Sequence, residues 1–86
     1  MVQATAPNIT TVPIRIDTGS VDTDGRLVLA GGRLVAVLVR LGDETHIDTH
    51  NSWFLEAGFG ALSGEAQVFR TVEHAVDWIG RRLATA

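Results

Sequence analysis

Apolar positions in this chain repeat first at every second residue and, near the end, at every third or fourth. Val12, Ile14 and Ile16 alternate with Pro13, Arg15 and Asp17, the period of a half-buried strand. Pro13 suits an edge strand or a strand start, because it cannot donate to a ladder. After the turn-rich stretch 18–25 (TGSVDTDG) comes the strongest local signal, GRLVLAGGRLVAVLVRL over 25–41. Its Gly31-Gly32 pair separates two β-branched, apolar runs and supplies the positive φ angles that a type I′ hairpin turn requires. With those glycines as the loop, Ala30 faces Arg33, Leu29 faces Leu34, Val28 faces Val35 and Leu27 faces Ala36. Strict alternation then puts Leu27, Leu29, Leu34, Ala36 and Leu38 on one face, and Val28, Ala30, Val35, Val37, Val39 and Leu41 on the other.

Trp53, Leu55, Ala57 and Phe59 alternate in a further strand, GALSGE reads as a turn, and AQVFR as a short last strand. The spacing changes at Thr71. Val72, Ala75, Val76, Ile79 and Leu83 form one helical stripe with Trp78 at its margin. Thr71 can cap the start, Glu73 lies in the first turn, and Arg81 and Arg82 in the last, which complements the helix dipole at both ends. Asp77 and Arg81 are spaced i,i+4. The expected elements are strands near 12–17, 25–30, 33–41, 53–59 and 66–70, then a helix near 72–84.

These elements predict an α+β fold: a small antiparallel β-meander of four to five strands with one C-terminal α-helix packed on one face. Residues 1–11 read as a flexible N-terminal tail and 12–86 as a single domain. Four or five strands make a sheet about 19–24 Å wide, whereas one helix with its side chains is only about 10–12 Å across. Half of one face and all of the other lack a helical cover. If the Leu face meets the helix, then Val28, Val35, Val37, Val39 and Leu41 form an outward apolar patch, and a homodimer through it, or through a free strand edge, is expected.

Composition narrows the function classes. All seven basic residues are arginine, against ten carboxylates, for a formal charge of −3. Five of them, Arg15, Arg26, Arg33, Arg40 and Arg70, lie on separate segments, which argues against the concentrated positive face that nucleic acid needs. The absence of Lys and Tyr beside abundant Ala, Val, Gly and Arg is the pattern of a high-GC bacterial coding bias. There is no cysteine, so no disulfide or thiolate metal site is expected. Residues 1–11 do not have the form of a signal peptide, and the longest apolar run, 34–39, falls far short of the ~20 residues of a membrane helix. The expectation is a cytoplasmic protein that engages neither membrane nor nucleic acid.

Candidate chemistry is sparse. Glu44, His46, Asp48 and His50 occupy alternate positions, so in a strand they would share a face and could offer imidazole and carboxylate to a divalent metal. His46 and His50 would stand about 13 Å apart when extended, so only neighbours could share an ion, and a solvated loop explains the same residues. Gly58-Phe59-Gly60-Ala61-Leu62-Ser63-Gly64 superficially resembles a phosphate loop, but it runs towards a strand instead of a helix start and lacks a Gly-Lys-Ser/Thr ending. Glu56, inside an apolar strand, reads as outward-facing, and Trp53 and Trp78 as core or core-margin residues. No catalytic residue and no cofactor is indicated. The residues favour a non-enzymatic binding or assembly module acting through protein–protein contact, ahead of a small-ligand or divalent-metal-binding accessory protein that uses 44–50, with an enzyme third.

Overall fold

The computed structural model of the chain describes residues 8–19, 22–42 and 51–85. The strands are β1 (Ile9–Arg15), β2 (Asp24–Ala30), β3 (Arg33–Leu41), β4 (Ser52–Gly58) and β5 (Val68–Phe69), followed by one helix, α1 (Val72–Thr85). Each strand pairs antiparallel with its neighbour in sequence, so the five lie in the order β1-β2-β3-β4-β5 as a meander. A 3-10 turn at Gly60–Leu62 stands where the sequence predicts only a turn.

Gly31 and Gly32 have φ angles of 58° and 81°, as the tight turn between β2 and β3 demands. Ala30 pairs with Arg33 and Leu29 with Leu34 as expected, but Val28 then pairs with Ala36, leaving Val35 as an extra residue on β3. A second shift leaves Glu56 extra on β4, since Val37 faces Ala57 while Leu38 faces Leu55. Such bulges displace the alternation of one strand relative to its partner. The Val35 carbonyl remains satisfied, accepting from the Phe59 N–H at 2.9 Å.

β1 begins at Ile9, inside the stretch assigned to the tail, because its pairing reaches the hairpin end through Ile9 and Ala30. Asn8 accepts from Gly31 N–H and Ile16 donates to Thr23, so the even-numbered residues of β1 bond to β2 and the odd-numbered ones face the free edge. Pro13 is among the latter. Its missing N–H therefore costs no ladder bond.

The helix forms where its signals are. Thr71 Oγ1 accepts from the His74 N–H at 3.0 Å, and Arg81 pairs with Asp77 at 2.9 Å. Ala75 and Ile79 are buried against Val28, Ala36, Leu38, Leu55, Leu62 and Phe69, which together form the core. The 3-10 turn inserts Leu62 into this layer, and its backbone passes so close to Gly58 that a Cβ there would collide with the Leu62 carbonyl. Arg82 ties the helix end down by pairing with Glu65 and lying 5.0 Å from the centre of the Trp78 ring. Among the described residues no helix is long and apolar enough to cross a membrane.

Candidate functional site

The strand register brings together side chains that are far apart in sequence. On the helix-bearing side of the sheet, one row crosses all five strands: Arg15, Asp24, Arg40, Trp53 and Phe69. Its aromatic end belongs to the core margin, where Phe69 and Trp78 meet at 5.5 Å. Its other end lies beyond the helix and is charged. Asp24 receives Arg40 Nη2 at 2.8 Å and Arg15 Nε at 3.6 Å. Arg40 also donates to Asn51 Oδ1 at 3.2 Å, and Arg15 to Thr23 Oγ1 at 2.9 Å.

Arg26 stands in the next row, beside Pro13 and Leu38, with its guanidinium carbon 5.5 Å from the centre of the Trp53 ring. No carboxylate pairs with Arg26 among the described residues. Together with Pro13, Ile14 and Gly25, these groups line an open cleft of about 510 Å³. The three arginines escape a scan for basic runs because each is on a different strand. Only register makes them neighbours.

The opposite side of the sheet is apolar. Thr10, Leu29 and Leu34 form one row, Val12, Leu27, Val37 and Ala57 a second, and Ile14, Gly25, Val39 and Phe54 a third. None of these residues is charged. Val12, Ile14 and Leu34 retain 45%, 40% and 41% of their surface, while Leu27, Leu29, Val37 and Phe54 are half-buried. Val39 and its neighbour Gly25 are the exceptions and are buried. Ile16 folds over this row, so close that a Cβ on Gly25 would collide with its side chain.

Compared with protein-family models, curated proteins and solved structures, the chain matches none. A functional reading therefore rests on its own geometry.

The β3 bulge corrects the grouping of the expected patch. Val28 is fully buried in the core beneath the helix with Ala36 and Leu38, so it does not belong to an outward face. Val35 is the half-buried extra residue at the bulge and packs against the core. Val37, Val39 and Leu41 do lie on the side away from the helix, accompanied by Leu27, Leu29 and Leu34, which the sequence places on the helix side.

His46, Asp48 and His50, the predicted metal ligands, lie outside the described residues, as does Glu44. Among the described residues no group of three or more His, Cys, Asp or Glu side chains is placed to hold a metal ion. Glu56 is exposed at the β4 bulge. The glycine-rich 58–64 segment forms the 3-10 turn and leads to β5, so its N–H groups do not open a helix suited to phosphate.

Proposed function

We propose that this chain is a non-enzymatic assembly module that pairs with a second copy of itself through the open face of its sheet. The observation that carries this reading is the uncharged surface around Leu34, Val37 and Val12, which no element among the described residues covers. Soluble proteins seldom leave a contiguous apolar face of this kind in water.

The size of the face suits a second copy. Four strands spaced ~4.8 Å apart and about five residues long at ~3.4 Å each project roughly 320 Å² per copy. Side-chain relief brings the area buried by two copies towards the ~1,000 Å² of a stable interface. A twofold axis lets the same rows meet themselves, with the sheets ~10 Å apart and their strands rotated by about 30°. The alternative of joining β1 edges is disfavoured by Pro13, which removes a donor from the free edge.

Sedimentation equilibrium at tens of micromolar tests the proposal. The expected species is a dimer, converted to monomer by Leu34→Asp or Val37→Asp with the far-ultraviolet circular dichroism retained. A monomer of 9.2 kDa at every concentration refutes it.

A further inference from the structure

We propose that the cleft beyond the helix is a binding site for a small organic oxyanion, a carboxylate or phosphate carried on a flat ring. The site lies on the opposite side of the sheet from the proposed dimer face and does not depend on it. Among the described residues three arginines, Arg15, Arg26 and Arg40, and one carboxylate, Asp24, line the cleft, an excess of two positive charges.

Asp24 is already shared by Arg15 and Arg40, so it has little left to offer Arg26. The planar guanidinium of Arg26 can present two parallel N–H donors, a fork that matches the oxygens of a carboxylate or phosphate. Arg40 is held between Asp24 and Asn51, which orients its remaining donors without using all five N–H groups.

The body of the ligand is constrained by the rest of the lining. Trp53 and Pro13 supply apolar walls, and about 510 Å³ falls within the range of small-molecule clefts. A ring can bury against these walls while its anionic group meets Arg26. A bare ion would satisfy the arginines but leave the apolar surface wet. The ring is therefore part of the recognition.

The test is titration of the full chain with benzoate, phenyl phosphate, inorganic phosphate and benzyl alcohol, following the Trp53 indole N–H and the arginine side-chain resonances by NMR. Saturable shifts at these groups are expected with benzoate or phenyl phosphate, and the tighter of the two identifies the preferred oxyanion. Arg26→Gln should weaken that binding about tenfold or more. Arg15→Gln removes an outer cation whose side chain is 79% exposed, and should weaken binding less without risk to the fold. Binding of inorganic phosphate as tight as that of phenyl phosphate would overturn the ring requirement. The site itself is rejected if neither aromatic anion saturates by about 10 mM, if benzyl alcohol binds equally well, or if Arg26→Gln leaves affinity unchanged in a folded protein.

Discussion

On one side of the central hairpin, Val28, Ala36 and Leu38 are fully buried under α1 and the 3-10 turn; on the other, Leu27, Leu29 and Val37 are half-buried and Leu34 is exposed. Both sets are apolar, drawn from the same two strands and separated by a single residue in sequence. Hydrophobicity alone does not decide which of them becomes core. Leucines stand on both sides, Leu38 beneath the helix and Leu27, Leu29 and Leu34 opposite, so what differs is the cover and not the kind of side chain. The helix makes one set a core, and the absence of a second covering layer among the described residues makes the other a candidate interface.

The largest expected effect sharpens this contrast directly. Leu38→Ala should destabilise by about 2–5 kcal/mol, as truncation at a fully buried site leaves a cavity, whereas Leu34→Ala should stay within about 0.5 kcal/mol in the monomer. Urea denaturation at concentrations low enough to keep the chain monomeric compares the two. Equal losses would mean that both faces are covered.

A smaller loss is expected from Gly58→Ala. The new methyl group would strike the Leu62 backbone and push the 3-10 turn off the covered face, at a cost of about 1–3 kcal/mol. A lower urea midpoint, with chemical-shift changes centred on Leu62 and Ile79, is the expected result. An unchanged midpoint would show that this close approach is not needed to close the core.

Thr71→Ala should cost the least, about 1 kcal/mol, by removing the oxygen that caps the His74 N–H. The change should appear in thermal melts and in faster amide exchange at the start of α1. It should leave the open face untouched, so any dimer should persist. If it dissociates, the two faces are coupled and the comparison fails in its simple form.

Local signals were legible where the chain makes its own decisions. Gly31-Gly32 marked the hairpin, Thr71 marked the helix start, and the stripe through Ala75 and Ile79 marked the surface that meets the sheet. The extra residues Val35 and Glu56 carry no comparable mark. Both sit in runs that alternation alone would continue without interruption, and each is absorbed only when the strand meets its partner. For the same reason strict alternation groups Val28 with the outward patch and gives no sign of the arginine cleft.

The sequence by itself determined the order of the elements, the antiparallel meander and the helix with its buried stripe, because periodicity, turn glycines and a capping threonine act over a few residues. Tertiary structure decided which face of the hairpin lies under the helix, since a one-residue bulge exchanges the two faces of the strand beyond it. It also placed Arg15, Asp24, Arg40 and Trp53 in one row with Arg26 beside them. Those residues belong to four strands, and their proximity is a property of cross-strand register that no local pattern encodes.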